Sequence, residues 1–273
     1  RNTVAYVYEQ IEKDLLEGLP LLNNNSYRVP KYHFTTEAAH AFATRFYLFK
    51  REYAKVVEHA NEVMAINLTT PNLRAWNTTY TSATYNDLRA IYTRSTEASN
   101  LLLVEAPTSW GRSFPSYNYG LNTIVLNTVL GNNNPLGVAL IFRDNVYGGT
   151  EVVYNIPKFK EHFVKQNISD NFGTPYNMIP LLTLEEVLFN RAEANAMLDN
   201  NDDVVKELNN YLSTRIPDYD PANPAHQLTV QKATDYYEGM STKGALVSTI
   251  LNFKQQEYMH EGLRWFDILR HKL

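Results

Sequence analysis

The feature that most limits what this chain can fold into is a helix–turn–helix pattern that occurs twice, at 35–66 and again at 183–215. In the first copy Thr35-Thr36 is placed as an N-cap, and Glu37 falls in the first turn, where a carboxylate favours the exposed amides. Ala38, Ala39, Phe42, Phe46 and Phe49 then recur at helical spacing, Lys50-Arg51-Glu52 interrupts them, and Tyr53, Val56, Val57, Ala60, Val63 and Met64 make a second stripe. So short a turn predicts two helices packed antiparallel. In the second copy Thr183-Leu184-Glu185-Glu186 fits a capping box, in which the Thr183 hydroxyl and the Glu186 carboxylate serve each other's free amides. Leu184, Val187, Leu188, Ala192 and Ala196 form its inner stripe. Asp199-Asn200-Asn201-Asp202 makes the turn, and Val204, Val205, Leu208, Tyr211 and Leu212 carry the return helix up to Pro217. Laid over each other, Ala43 falls on Ala192, Phe49 on Leu198, Val56 on Val205 and Val63 on Leu212. Small residues alternate with large ones where the helices cross, as in the tetratricopeptide unit of roughly 34 residues.

The flanks are helical too. Val4, Val7, Tyr8, Ile11, Leu15, Leu19 and Leu22 predict an amphipathic helix ended by Asn23-Asn24-Asn25-Ser26. A last helical region begins near Lys243, with Leu246, Ile250, Phe253 and Glu257 along one side. It breaks at Gly262 and resumes through Trp265, Phe266, Ile268 and Leu269. Between the hairpins, over 67–180, the helical period fades into a stretch rich in Asn, Thr, Tyr and Gly. Most of it reads as long loops, with a short strand at Val152-Val153-Tyr154-Asn155-Ile156. The expected fold class is mostly α: tetratricopeptide-like hairpins in an α/α superhelix, with long irregular loops and short strands, in one domain over 1–273.

Charge and composition remove several functions. With a net charge of -4 and no basic cluster, the chain lacks what nucleic acid or an anionic lipid surface demands. It has no cysteine, so disulfides, Cys-ligated zinc and thiol catalysis are out. No apolar run reaches the roughly 20 residues that span a bilayer. His260-Glu261 opens like a zinc-protease helix, but the second histidine would stand at Arg264, so the motif fails. Neighbouring carboxylates such as Glu185-Glu186 and Asp202-Asp203 point in different directions on a helix and make poor acid/base pairs. No metal, no cofactor and no enzymatic activity are expected.

What remains distinctive is aromatic content, with 19 tyrosines. Trp76, Tyr80, Tyr85, Trp110, Tyr117 and Tyr119 crowd the non-helical insert and form the candidate ligand-binding set. Sugars present flat C–H faces that stack on such rings. Asn77, Asn86, Asp87, Arg112 and Asn118 lie close in sequence to bind hydroxyls. The competing reading is that these rings fill a core covered by loops.

Four segments, in order, resemble the SusD/RagB family. The opening YVYEQIEKDLLEGLPLL is similar to the helix before that family's repeats. Tyr47-Leu48 and Tyr53-Ala54 stand where its first hairpin carries Tyr-Leu and Tyr-Ala. Leu184, Glu186, Val187, Leu188, Ala192, Glu193 and Ala194 fit its Leu-x-Glu-Val-x-Leu-x-x-Ala-Glu-Ala segment. Glu261, Gly262, Arg264, Trp265, Phe266, Asp267 and Arg270 fit its Glu-Gly-x-Arg-Trp-Phe-Asp-Leu-x-Arg signature. In that signature Trp265 is expected to be buried, with Arg264 or Asp267 pairing with groups such as Glu261. The resemblance implies a lipoprotein on the bacterial outer membrane, of the Bacteroidetes type. It would bind glycans and deliver them to a TonB-dependent SusC-like transporter, touching the membrane only through a lipid anchor. Family members are usually longer, begin at a lipidated cysteine and continue past the signature, so the resemblance implies a fragment of a larger protein. Two other readings stand beside it. One is a peptide- or protein-binding scaffold of tetratricopeptide type. The other is a glycosidase, which needs two carboxyl groups about 5–10 Å apart in an aromatic cleft.

Overall fold

The computed structural model describes residues 3–64, 72–147 and 151–273. The end of the predicted first hairpin, 65–66, and the start of the insert, 67–71, lie outside them. α1 (Val4–Gly18) is capped by the Thr3 hydroxyl and lies on the first hairpin through Leu15 and the Tyr8–Phe46 ring pair, 5.6 Å between centroids. α2 (Thr36–Lys50) begins as expected, with the Thr35 hydroxyl accepting from the Ala38 N–H at 3.2 Å. It ends at Arg51, which takes the left-handed conformation at φ 61 and so turns the chain back into α3 (Tyr53–Val63). Ala38, Ala39, Ala41 and Ala43 are all buried, which lets the neighbouring helices approach closely.

The insert corrects the expectation of long loops. It contains α4 (Tyr85–Tyr92), β1 (Asn100–Pro107), the single turn α5 (Trp110–Ser113), α6 (Thr123–Val129), β2 (Asn145–Tyr147), β3 (Val153–Asn155), β4 (Glu161–Lys165) and β5 (Gly173–Thr183). β1, β5 and β4 form an antiparallel sheet in that order, with Leu103 opposite Pro180, Ala106 opposite Asn177 and Phe163 opposite Pro175. β3, inside the predicted strand, pairs with β2. Leu101, Leu102 and Leu103 are all buried, so β1 shows no alternation to read. β5 carries Pro175 and Pro180, residues that argue against a central strand.

Buried charges clamp this insert to the helices that follow: α7 (Leu184–Met197), α8 (Asn201–Leu212), α9 (Val230–Tyr236), α10 (Thr242–Glu257) and α11 (Arg264–His271). Arg74, Lys158 and Arg215 are all fully buried. Arg74 donates to the Asn100 side chain at 2.6 Å, and its backbone N–H donates to Glu185 at 2.7 Å. Arg215 reaches Glu257 at 2.9 Å and Glu185 at 3.3 Å. Lys158 donates to the Glu257 carbonyl and to Glu261, whose carboxylate also accepts from the Tyr92 hydroxyl at 2.7 Å. Burial would raise the Glu185 carboxyl, but the Arg74 and Arg215 charges hold it below its ordinary range.

α7 is buried on every side although six of its fourteen residues are polar, so each polar group needs a partner. Asn190 donates to the Thr44 hydroxyl at 3.1 Å, and Arg191 donates to the Met64 carbonyl at 2.7 Å and lies 2.6 Å from Glu207. The capping box at its start is only half made. The Thr183 hydroxyl accepts from the Glu186 N–H at 3.4 Å, but the Glu186 carboxylate turns to Arg45, 2.6 Å away on α2. An ion pair to a neighbouring helix outcompetes the local amide. The signature segment is also corrected. Trp265 is 61% exposed on α11, and Glu261 serves Lys158 and Tyr92. It is Asp267 that is buried, 2.6 Å from Lys254 and 3.0 Å from Arg270. A helix of eight residues turns one side inward, and here the charged side wins because Lys254 and Glu193 wait there for partners.

Candidate functional site

The six aromatics proposed from sequence separate into two groups. Trp76 and Tyr80 are fully buried, which removes them as ligand platforms. Their rings pack 4.9 Å apart and Trp76 lies 5.2 Å from Phe142, inside the main core. The Tyr80 hydroxyl is spent on Glu97 at 2.8 Å. Burying rings of this size contributes more than exposing them would, so an aromatic-rich insert next to a helical frame fills its own interior first. Tyr85 is half-buried at the start of α4, with the Arg89 guanidinium 5.2 Å over its ring.

Trp110, Tyr117 and Tyr119 reach the surface in two ring pairs. The half-buried Trp110 ring meets Tyr119 edge-on at 5.0 Å, and Tyr117 meets Tyr147 edge-on at 5.4 Å. Tyr117 and Tyr119 are 44% and 52% exposed. Beneath them Phe114 is fully buried, 6.1 Å from Trp110, 5.6 Å from Phe159 and 5.3 Å from His260. Burial, with the Lys158 ammonium nearby, pushes the His260 imidazole down to about 3. It therefore stays neutral and accepts the Ile156 N–H at 3.2 Å.

The polar candidates divide in the same way. The Asn77 amide donates to the Ser213 and Ile216 carbonyls at 2.9 and 2.8 Å, and Asp87 accepts from the Thr84 hydroxyl at 2.6 Å, so both serve the fold. Arg112 makes a two-pronged pair with Glu161 and stands 5.5 Å over the half-exposed Phe163. Asn118 is exposed between the two tyrosines, and Asn86 is exposed on α4. Sequence reasoning missed Tyr147 and Phe163. Both lie on short strands that the fading of the helical period hid.

The geometry defines a class of protein: a frame of helical hairpins carrying a clamped, partly stranded insert that presents aromatic pairs at its surface. In fold this chain is SusD-like, and over residues 1–48 it is SusD-like in sequence too, matching a family model described as starch-binding and associating with the outer membrane. A SusD superfamily protein from Bacteroides thetaiotaomicron superposes with a TM-score of 0.65 at 17% identity, covering 99% of this chain and 59% of that one. A putative sugar binding protein from Bacteroides vulgatus gives 0.63 at 20% identity, covering 99% and 54%. A SusD-like carbohydrate binding protein from the same organism gives 0.61 at 18%, covering 99% and 52%. This chain thus spans little more than half the length of the structures it matches. No curated protein matches it in sequence.

Proposed function

We propose that this protein captures glycans at a bacterial outer-membrane surface, without chemical conversion, for delivery to a TonB-dependent SusC-like transporter. One observation carries the reading: two ring pairs, the half-buried Trp110 with the exposed Tyr119, and the exposed Tyr117 with Tyr147. Rings set edge to face leave open faces on which sugar C–H groups stack, and the Asn118 amide between them suits hydroxyls. Glu161, a carboxylate near Trp110, is held by both prongs of Arg112. Attachment to the membrane is proposed to come through a lipid anchor; the matched family is described as associating with the outer membrane. Affinity gels cast with amylopectin, inulin or xylan test the reading. One of them should retard the protein, and Trp110→Ala should abolish or weaken the retardation. Equal migration of the two proteins in every gel would withdraw it.

A peptide- or protein-binding scaffold is favoured by a different observation. Trp265, Phe266, Leu269 and Leu273 are exposed together around α11. Pull-down of a partner lost on Trp265→Glu, without glycan retention, would select that reading.

A further inference from the structure

We propose that Gly111 and Arg89 are positioning residues that hold the Trp110 platform rigidly in place before ligand arrives; this rests on the glycan-binding reading. α5 has only four residues, far too few to hold a helical turn on its own. What fixes it is a set of ties to the sheet and to α4. The Gly111 N–H donates at 2.5 Å to the Asn177 amide oxygen, in the orientation where the amide nitrogen donates to the Lys160 and Tyr176 carbonyls at 3.0 and 3.2 Å. The Gly111 carbonyl accepts from Arg89 at 2.9 Å, and the same guanidinium donates to the Phe159 carbonyl. Arg112 closes the turn from the other side onto Glu161.

Only glycine permits this approach. A Cβ at position 111 would overlap the Asn177 side-chain amide and come within 2.8 Å of the Glu161 backbone nitrogen. Neither neighbour can yield. Asn177 is fully buried and bonded at both ends of its amide, and Glu161 N belongs to β4, paired to β5. The restriction is spatial, because the backbone of Gly111 does not need the left-handed region. An added methyl must therefore lift the whole turn, and Trp110 with it, off Phe114 and away from Tyr119. A platform fixed in advance spares the ligand the cost of ordering it.

The test compares the protein with Gly111→Ala, Arg89→Lys and Trp110→Ala in gels cast with amylopectin, inulin or xylan. All are labelled with 5-fluorotryptophan, whose three signals come from Trp76, Trp110 and Trp265. We expect Gly111→Ala and Arg89→Lys to weaken retention roughly 3- to 10-fold, the scale of ordering one or two side chains. The Trp110 signal should shift and broaden, while the Trp76 signal, in the core, stays where it was. Loss of binding in Trp110→Ala with full binding and an unmoved Trp110 signal in both positioning variants overturns this inference and leaves the glycan reading standing. Equal binding by Trp110→Ala overturns both. If Gly111→Ala also displaces the Trp76 signal, Arg89→Lys alone decides, since it adds no atom to the packed interface.

Discussion

Replacing Arg215 by Met tests the claim that buried charge holds the insert to the frame. Arg215 is fully buried. Its guanidinium contacts Glu257 at 2.9 Å and Glu185 at 3.3 Å, and it donates to the Arg74 carbonyl at 2.7 Å. Met fills much of the volume but removes the charge. Glu185 would keep the Arg74 N–H at 2.7 Å and the Ser99 hydroxyl. Glu257 would keep only the Tyr211 hydroxyl at 3.2 Å, so its carboxylate becomes the uncompensated charge. Leaving one partner of a buried pair alone costs about 3–5 kcal/mol, a large part of the 5–15 kcal/mol that is typical for a whole domain. Adding Glu257→Gln removes the stranded charge and should restore more than about 1 kcal/mol relative to the sum of the single changes. Urea unfolding followed by circular dichroism measures both quantities, provided the slope with denaturant is unchanged. A loss below about 1 kcal/mol for Arg215→Met, or strictly additive effects in the double variant, would refute the reasoning.

Acid should weaken the fold before its carboxylates titrate. An unfolded imidazole binds its proton near pH 6.5, whereas His260 in the fold waits until about 3. Between those values the unfolded chain holds a proton that the folded chain does not, so stability falls as pH falls, by up to about 1.4 kcal/mol per pH unit, and is flat above. His40 and His59, also lowered by burial, act in the same direction. His260→Gln should flatten the slope between pH 6.5 and 5 in urea titrations, and an unchanged slope would assign it elsewhere. Within the signature segment, Trp265→Ser should change stability by no more than about 0.5 kcal/mol. Asp267→Asn, which removes the charge facing Lys254 and Arg270, should cost about 2–3 kcal/mol. The reverse ranking in thermal or urea unfolding would contradict the packing of α11.

The helical frame was legible because its stripes match what is buried. Val56, Ala60, Leu188, Ala192, Val204, Leu208, Leu246 and Ile250 are all at or below 1% exposure, each at an inner position of the predicted period. Periodicity reports burial, and it failed where burial does not follow a period. α7 is enclosed on all sides, so its Glu185 and Glu186, read as part of a capping box, are interior ion-pair partners. The insert hid its sheet behind a β1 whose first four residues are all buried, and behind two prolines in β5. For the candidate site the residue types were legible and their depth was not. Trp76 and Trp110 stand in equally polar, loop-like sequence. What separates them is the neighbours each meets: Phe142 and Tyr92 close over Trp76, whereas Trp110 meets Phe114 and the exposed Tyr119 and stays half-buried. Contacts between residues distant in the chain leave no local pattern to read.

The geometry of α7 also explains in physical terms why the four family-like segments go together. Leu15 of the first and Ala43, Phe46 and Tyr47 of the second cluster with Ala194 of the third. Glu186 of the third binds Arg45 of the second at 2.6 Å. Glu193 of the third takes both nitrogens of Arg270 in the fourth, and His271 at 2.9 Å. Burial would raise the Glu193 carboxyl, yet these bonds and the Lys254 charge hold it well below its usual range. Each of these residues faces another part of the frame, so changing one strands its partner in the interior. The insert attaches through Glu185, by way of Arg74 and Ser99, and through Glu261 of the fourth segment, by way of Lys158 and Tyr92. Glu185 stands at a position that the Leu-x-Glu-Val-x-Leu pattern leaves open. A frame closed on itself, with its insert tied on at a few buried carboxylates, can exchange the surface that meets the ligand without disturbing the contacts that keep the helices together.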